Sequence, residues 1–323
     1  MFELLSLLFS GLLLFSSTGL VNAYDFSGKP ITFVVPYNPG GGTDTIARRL
    51  STQLSKQLNT SVIVENKAGA DGIIGTSSVV RSKPDGHTYA LVVNTHVVNP
   101  LFHKTMPYDT LKDLTGVTMI AKSPLVLVVP KNLGVRTLNE FLELVRKNPQ
   151  KFAYGSSENF TKLVGARFVK EQKLDMINVP YSGGAPLMTD VASGNTTLGV
   201  GSIMAANAYI TSGKVVPIAL TGDKENDFLP GVQTLKEQGM PDFSMYVTYS
   251  LFAPAGTPAN IVQAMQKEIR KAVLSKEVKD ALQAQVAEPV ANPVDEFNRE
   301  LLAEYSDLSA LAGSIGLKVS QSN

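Results

Sequence analysis

The sequence lacks two residue types entirely and carries little net charge. None of its 323 residues is cysteine or tryptophan. The absence of cysteine excludes disulfides, thiolate metal ligands and cysteine nucleophiles. The formal net charge is only +1 and no basic patch stands out, which argues against nucleic acid or an acidic membrane surface as a partner. Hydrophobic residues make up 44%, which is enough for two folded domains or one large one.

The motifs of common enzyme and cofactor sites are also missing. The sequence contains no G-x-S-x-G elbow, no H-E-x-x-H pair, no carboxylate cluster with metal-ligand spacing and no P-loop. Glycines at residues 199–201 (GVG) lack the third glycine of a dinucleotide fingerprint, and His87, His96 and His103 stand in no catalytic motif. We therefore expect no metal, no cofactor and no enzymatic activity.

The N-terminus resembles a secretory signal peptide. Residues 4–15 form an apolar run, and Val21, Asn22 and Ala23 supply a small-residue cleavage site. The run is too short for a membrane-spanning helix, which needs about 20 apolar residues. Glu3 departs from the usual basic start. We predict export to the periplasm and removal of residues 1–23, which takes the net charge from +1 to +2 because Glu3 is the one charged residue removed.

The most distinctive stretch is PYNPGGGTDTIARR, residues 36–49. It follows ITFVV (residues 31–35), which predicts a buried strand, and it opens a predicted helix over residues 43–58 that Thr43 or Asp44 could cap. Glycine lets a ligand approach the backbone closely, and the free N–H groups at a helix start suit a carboxylate or phosphate. The alternative is a tight turn that binds nothing.

Strands and helices alternate along the rest of the chain, which is typical of an α/β fold with a largely parallel sheet. A second glycine pair, in YSGGAPLMTD (residues 181–190), again leads into a helix. Thr137 and Glu140 form a capping-box pattern at the start of another helix. Further predicted elements are a short helical piece at 111–114, apolar segments at 116–121 and 125–129, a strand at 246–253, and helix from Pro258, with Thr257 as its cap, to about residue 312.

No linker rich in proline, glycine or charge separates the two α/β blocks, so we expect strands to cross between two lobes. Boundaries near residues 123 and 245 give a discontinuous first lobe, residues 24–123 and 245–323, and a second lobe of residues 124–244. Ligands in open α/β sheets bind beyond the carboxyl ends of the strands. The glycine loop at Gly40 should therefore face Ser156 and Gly183.

Together these segments resemble the periplasmic solute-binding proteins of tripartite tricarboxylate transporters, the Bug or TctC-like family. The resemblance covers residues 29–317. It rests on seven motifs in the family's order: PYNPGGGTDTIARR (36–49), ENKAGADGIIG (65–75), KPDGHTYAL (83–91), YGSS (154–157), VPYSGGAPLMTDVASG (179–194), LPGVQTLKEQG (229–239) and LFAPAGTPANIV (251–262).

The resemblance implies a monomeric, non-enzymatic receptor with a type II-like periplasmic binding protein fold. Such a receptor closes two α/β lobes on a small carboxylate and delivers it to membrane permease subunits. By resemblance, loops from both lobes hold the ligand through backbone N–H groups, hydroxyls and waters, and Asp190 braces the second loop. The implied site residues are Tyr37, Pro39, Gly40, Gly41, Gly42, Thr43, Asp44, Ser156, Ser157, Thr161, Ser182, Gly183, Gly184, Ala185 and Asp190.

One segment departs from the family pattern. After YGSS the family has small residues and a His-Leu pair, whereas this chain has Glu158, Asn159, Phe160 and Thr161 before Lys162 and Leu163. Phe160 could form an aromatic wall with Tyr249 and His96, which suggests an aromatic or bulky carboxylate; alternatively, Phe160 packs in the core. The loops hold no cation except Lys162, which favours one or two carboxylates over a tricarboxylate.

Two other functions remain open from the sequence. A secreted α/β enzyme acting on a carboxylated metabolite could use Asp44 or Asp190 as its base. A receptor that presents its ligand to a membrane sensor kinase would share the binding chemistry. The leading expectation is a receptor that traps its ligand by hinge closure, with the hinge in the crossing strands at residues 116–129 and 246–253.

Overall fold

The computed structural model describes residues 24–317, so the predicted signal peptide lies outside the described part. No helix in this range is long and apolar enough to cross a membrane. The strands are β1 Ile31–Val35, β2 Val62–Asn66, β3 Thr88–Val93, β4 Leu114–Pro130, β5 Phe152–Ser156, β6 Met176–Pro180, β7 Leu198–Ser202, β8 Val215–Leu220, β9 Tyr246–Pro254 and β10 Glu288–Pro289. The α-helices are α1 Gly42–Leu58, α2 Ile73–Val80, α3 Thr95–Phe102, α4 Leu138–Lys147, α5 Asn159–Glu171, α6 Gly184–Ser193, α7 Ile203–Thr211, α8 Ala259–Leu274, α9 Lys276–Ala284 and α10 Val294–Ser314.

The described strands form one mixed sheet. Its main order is β2-β1-β3-β9-β4-β7-β5-β6, and β8 and β10 pair with β4. β1 is parallel to β2 and β3, and β5 is parallel to β6 and β7. Every pair that involves β4 or β9 is antiparallel. The sheet is therefore parallel on each side, as the sequence predicts, and antiparallel strands join the two sides.

β4 runs through both sides of the sheet. From Leu114 to Pro124 it pairs with β9, and from Leu125 to Pro130 it pairs with β7 and β8. We call β1, β2, β3, β9, β10 and the first part of β4 the first half, and β5 to β8 with the rest of β4 the second half. The sequence predicted two separate apolar segments here, but Ser123 between them is buried and its hydroxyl donates to the carbonyl of Val286 (2.8 Å), so the strand continues.

Thr221 connects the two places where the chain crosses between the halves. It directly follows β8 and is 0% exposed. Its N–H donates to the carbonyl of Leu125 (3.0 Å), and the N–H of Leu125 donates to its hydroxyl (2.9 Å). The hydroxyl donates in turn to the carbonyl of Met245, whose N–H donates to the carbonyl of Thr221 (2.9 Å). Because Leu125 lies in β4 and Met245 precedes β9, one threonine fixes the spacing of the two crossings.

The hydrophobic core follows from the strand and helix patterns. β1 has no solvent-facing side, and its apolar side chains Ile31, Phe33, Val34 and Val35 are all buried, as expected for a strand in a covered parallel sheet. Helix α4 buries one stripe at helical spacing, and its predicted capping box is present: the Thr137 hydroxyl accepts from the N–H of Glu140 (3.2 Å), and the Glu140 carboxylate accepts from the N–H of Thr137 (3.2 Å).

Several predicted boundaries were wrong. Residues 111–114 form a turn into β4 rather than a helical piece, because the Asp109 carboxylate accepts from the N–H groups of Leu111 and Lys112 (3.0 and 3.2 Å). The cap of α8 is Pro258 rather than Thr257, whose hydroxyl donates to the carbonyl of Pro254 (2.7 Å). The C-terminal region is not one helical run, since α8, α9 and α10 are separated and β10 pairs with β4.

We expect Thr221→Val to lower the free energy of unfolding by about 1–3 kcal/mol, because it leaves the buried N–H of Leu125 and carbonyl of Met245 without their partner. Thr221→Ser keeps the hydroxyl and is the matched control, with a smaller expected loss. Urea denaturation measures both. An equal loss of unfolding free energy in the two variants would show that the Thr221 hydroxyl does not stabilise the junction.

Candidate functional site

The loop between β1 and α1 presents the start of a helix that no side chain caps. Gly40 has φ +84°, a conformation that favours glycine, and the N-cap of α1 is Gly41 rather than Thr43 or Asp44 as predicted. Gly41 makes no side-chain capping bond, and Pro39, Gly40 and Gly41 are exposed. The first N–H groups of α1 therefore have no side-chain acceptor, at the positive end of the helix dipole.

Asp44 holds this loop in place instead of capping the helix. Its carboxylate accepts from the N–H of Gly40 (2.9 Å), Nε of Arg48 (2.9 Å) and Nδ2 of Asn66 (2.9 Å), and the residue is 3% exposed. Burial alone would raise the pKa of Asp44, but the hydrogen bonds from Arg48, Gly40 and Asn66 outweigh it and keep the pKa below its ordinary value. Thr43 is buried beside it. Asp44 thus acts on the protein's own loop, with its oxygens already engaged.

The loop between β6 and α6 has the same construction in the second half. α6 begins at Gly184 after Gly183, which has φ +153° and makes no side-chain cap. Ser182 and Ala185 are exposed on either side of the glycine pair. A Cβ on Gly184 would lie 2.9 Å from Cβ of Ala205, so α7 packs closely against the start of α6. The sequence placed this loop correctly as the second glycine-rich strand-to-helix connection.

Asp190 lies in the middle of α6 and braces the preceding loop. Its carboxylate accepts from the hydroxyl of Tyr181 (3.0 Å), which also bonds the hydroxyl of Thr196, and from Nδ2 of Asn195 (3.5 Å). Its contacts are thus with loop residues of the second half. The enzymatic alternative required Asp44 or Asp190 as a base, and both carboxylates are engaged by protein groups.

The loop between β5 and α5 lies beside the second glycine loop. The carbonyl of Ser156 accepts from the N–H of Tyr181 (2.8 Å), and its hydroxyl accepts from Nδ2 of Asn178 (2.9 Å). The Thr161 hydroxyl accepts from the N–H groups of Ser157 and Glu158 (3.0 and 3.1 Å). Thr161 thereby caps the start of α5 from inside the helix, and Ser157 stays partly exposed at the turn.

The start of α5 reaches across to the first half. The hydroxyl of Thr95, at the start of α3, donates to the Glu158 carboxylate (2.9 Å). Nδ2 of Asn159 lies 3.2 Å from Oδ2 of Asp71, 3.1 Å from Oδ1 of Asn99 and 3.3 Å from Nε2 of His103. Two of the residues that depart from the family pattern, Glu158 and Asn159, thus make polar contacts between the two halves.

Glu158 is the most perturbed acid near the loops. Burial raises its pKa to about 7, the hydrogen bond from Thr95 opposes that rise, and the charge of Asp71 adds to it. Burial and then the Glu158 charge raise the pKa of Tyr37 and of Tyr249 as well. These tyrosines stay neutral at ordinary pH, so their hydroxyls are available as hydrogen-bond donors.

The aromatic residues proposed from the sequence do not share one wall. Phe160 is 2% exposed and packs in the hydrophobic core, so its position gives the aromatic-ligand hypothesis no support. His96 is also 2% exposed, lies between Tyr108 and Phe252, and is held neutral because burial lowers its pKa to about 4. Only Tyr249 lies at the glycine loop, where a Cβ on Gly42 would be 3.3 Å from its hydroxyl.

Sequence reasoning left Glu158, Thr95, Asn159 and Asp71 out of the site. Its one signal was the departure from the family pattern after YGSS, which marked the segment without showing what it contacts. The structure brings the two glycine loops and the start of α5 to the carboxyl ends of their strands. Among residues 24–317, no group of three or more histidines and acids is placed to hold a metal ion.

We expect Glu158→Gln to flatten the pH dependence of stability. The pKa of Glu158 is about 7 in the folded chain against an ordinary value of 4.5, so the folded state holds an extra proton between these values and loses stability as the pH rises through 7. From pH 5 to pH 8 the variant should lose less stability than the native chain, by on the order of 1–3 kcal/mol.

Urea denaturation at several pH values checks this prediction. Glu143→Gln is the control, because the Glu143 side chain is 70% exposed. Burial also raises the pKa of Glu304 to about 7, and this contribution is the same in all three proteins. Parallel pH profiles for the native chain and Glu158→Gln would contradict the prediction.

Comparisons with known proteins agree with the geometry. A family model described as "Tripartite tricarboxylate transporter family receptor" matches residues 46–316. A protein encoded in the tcbD-tcbE intergenic region of Pseudomonas sp. (strain P51) is 33% identical over 270 residues, which cover 83% of this chain and 80% of that protein.

Two solved structures have the same fold over nearly their whole length. The R. palustris protein Rpa4515, solved with adipate, has a TM-score of 0.85 at 29% identity over 91% of this chain and 99% of that one. The periplasmic binding protein BugD has a TM-score of 0.80 at 26% identity over 90% of this chain and 98% of that one. The chain thus has the two-lobed α/β fold of periplasmic binding proteins.

Proposed function

The chain belongs to the tripartite tricarboxylate transporter family of receptors, and we propose that it captures a small carboxylate between its lobes and delivers it to the membrane permease of such a transporter. The resemblance predicted from the seven motifs is thereby confirmed. Membership makes the chain a solute-binding receptor. The class of ligand and the permease partner are the parts that we propose.

One observation carries the carboxylate part of this proposal. Helices α1 and α6 come from different halves of the sheet, and each begins at a glycine with no side-chain cap. Two sets of free N–H groups, each at the positive end of a helix dipole, suit a small anion. The likeness to Rpa4515, which was solved with adipate, supports a carboxylate as that anion.

Each loop has its own role in the proposed site. Backbone N–H groups near Gly41 and Gly183 bind the carboxylate, and exposed Ser182 and half-buried Ser157 add hydroxyls beside them. Asp44 and Asp190 keep their loops in shape without touching the ligand. The other residues predicted for the site from the sequence line these loops or pack behind them: Tyr37, Pro39, Gly40, Gly42, Thr43, Ser156, Thr161, Gly184, Ala185 and Tyr249.

We propose residues 24–123 and 245–323 as the first lobe and residues 124–244 as the second. The change of pairing partner in β4 between Pro124 and Leu125, and the bonds of Met245 to Thr221, support these boundaries. The hinge then lies in β4 and at the start of β9, and closure brings α5 against α3.

The proposed place of action is the periplasm, with the chain working as a monomer and not as an enzyme. Residues 1–23 resemble a secretory signal, and the similar protein BugD is described as a periplasmic binding protein. A ligand bound and released without chemical change is sufficient for delivery to a permease.

A carboxylate that binds should raise the melting temperature of the mature protein, because a ligand that binds only the folded state stabilises it by mass action. Differential scanning fluorimetry with mono-, di- and aromatic carboxylates, alone and with amino or amide groups, checks this. Product analysis after incubation tests for turnover. A flat response to every compound would contradict the proposed function, and turnover would favour an enzyme.

Gly41→Asp should weaken carboxylate binding at least about tenfold, because an aspartate at the N-cap accepts from the free N–H groups of α1 and repels the anion. Gly41 has φ −73°, and a Cβ there would meet only the carbonyl of Asn38 at 3.6 Å, so the fold should tolerate the change.

Gly41→Asn is the matched control, since it adds the same shape without the charge and should lose less affinity. Isothermal titration calorimetry with the best carboxylate from the screen measures both variants, and the melting temperature of each ligand-free variant checks the fold. Unchanged affinity in Gly41→Asp would show that α1 does not hold the carboxylate.

A further inference from the structure

The Glu158 carboxyl lies where the two halves of the molecule meet. Glu158 is the N-cap of α5 in the second half, and its carboxylate accepts from the hydroxyl of Thr95 in the first half (2.9 Å). The hydroxyl of Tyr37, in the glycine loop, accepts from the N–H of Val93 (3.3 Å), two residues before Thr95. The charge of Glu158 raises the pKa of Tyr37 and of Tyr249, whose hydroxyl lies next to Gly42. The carboxyl is therefore beside the loops proposed to hold the ligand, and it belongs to neither glycine loop.

This carboxyl has fewer partners than its chemistry allows. An ionised carboxylate can accept about four hydrogen bonds, and Glu158 accepts two: one from the hydroxyl of Thr95 (2.9 Å) and one from the backbone N–H of Thr161, in the capping box at the start of α5. Within residues 24–317 no ion pair involves Glu158, and the charged group that shifts its pKa is Asp71, which is also an acid. Glu158 is partly buried, and a carboxylate that is partly removed from water without a cation is costly unless another donor reaches it.

From this geometry we infer that Glu158 selects a ligand that carries an N–H donor, an ammonium or amide group, in addition to its carboxylate. The inference rests on the proposed function, because it assigns the carboxylate end of the ligand to the starts of α1 and α6. The N–H end faces Glu158 and donates to its carboxylate beside the bonds from Thr95 and Thr161. A simple dicarboxylate would put a second negative charge against Glu158 and Asp71.

The proton balance gives this inference a distinct pH signature. Burial raises the pKa of Glu158 to about 7, and an ammonium group beside it favours the ionised form. Binding an amino-carboxylate therefore releases a proton below pH 7, and its affinity rises between pH 6 and pH 8. Binding a dicarboxylate would have the opposite trend, because ionised Glu158 repels it. The other titratable groups that face Glu158 are Tyr37, Tyr249 and Asp71, with His103 next to Asp71 and Asn159.

The test is calorimetric titration of the mature protein with matched pairs of ligands. The pairs are succinate, glutarate and adipate against their monoamides and against ω-amino acids of the same chain length, with aspartate and asparagine included. The native chain should bind an N–H-bearing member at least about tenfold more tightly than its dicarboxylate partner. Glu158→Gln, which keeps an acceptor for Thr95, should reduce this ratio for an ammonium ligand by about tenfold and remove the rise in affinity with pH.

Two further variants separate selection from simple packing. Glu143→Gln, at an exposed position, should keep the ratio of the native chain. Thr95→Val removes the hydrogen bond between Thr95 and Glu158 and keeps the Glu158 carboxyl, so overall affinity can fall while the preference for the N–H-bearing ligand remains. The inference would be overturned if Thr95→Val lost that preference, or if Glu158→Gln weakened the binding of both ligand types equally. Either result would show that Glu158 only holds the two halves together.

Failure of this inference can be told apart from failure of the proposed function. Tight binding of plain dicarboxylates in preference to their amino and amide partners would overturn the selection by Glu158 and leave the carboxylate receptor standing. A pH dependence that persists in Glu158→Gln would assign the titration to another group and would also overturn the inference. Absence of binding by every compound in the panel would overturn the proposed function itself.

Discussion

The architecture depends on the hydrogen bonds around Thr221. The two halves share a continuous sheet, yet they are joined by single strands, and the buried hydroxyl of Thr221 lies where those strands come together. It satisfies backbone groups of both crossings at once, so neither strand can shift along the other without leaving a buried polar group unpaired. The hinge that we propose lies at this junction, where the two crossings are held together.

The two glycine loops at the carboxyl ends of the strands carry no cationic side chain at their helix starts. The carboxylates of Asp44 and Asp190 accept hydrogen bonds from groups of their own loops and so hold the loops in shape. The helix starts at these loops present backbone N–H groups rather than cationic side chains. The proposed site would recognise an anion by the direction of these N–H groups and by close backbone approach. The acid that we propose for ligand selection is Glu158, which stands where the family pattern has small residues.

The sequence predicted several features that local chemistry decides, although it missed the caps of α1 and α8 and the turn at residues 111–113. The capping box at Thr137, the buried strand before the first glycine loop and both glycine-rich helix starts follow from local preferences, and the structure contains them. The sequence was insufficient where contacts between distant segments decide the structure. β4 is one strand because partners from both halves cover it, and the contact of Glu158 with Thr95 joins residues 63 positions apart. His96 and Phe160 have ligand-like chemistry, but tertiary packing places them in the core.

The position of β9 also decides when each half can form. β9 lies between β3 and β4, so the first half is not complete until residues far along the chain have been made, whereas β5 to β8 come from one continuous segment. Contacts so distant in sequence form slowly, because the closure of a long loop must precede them. The second half can therefore fold early, while the first half waits for the C-terminal third of the chain.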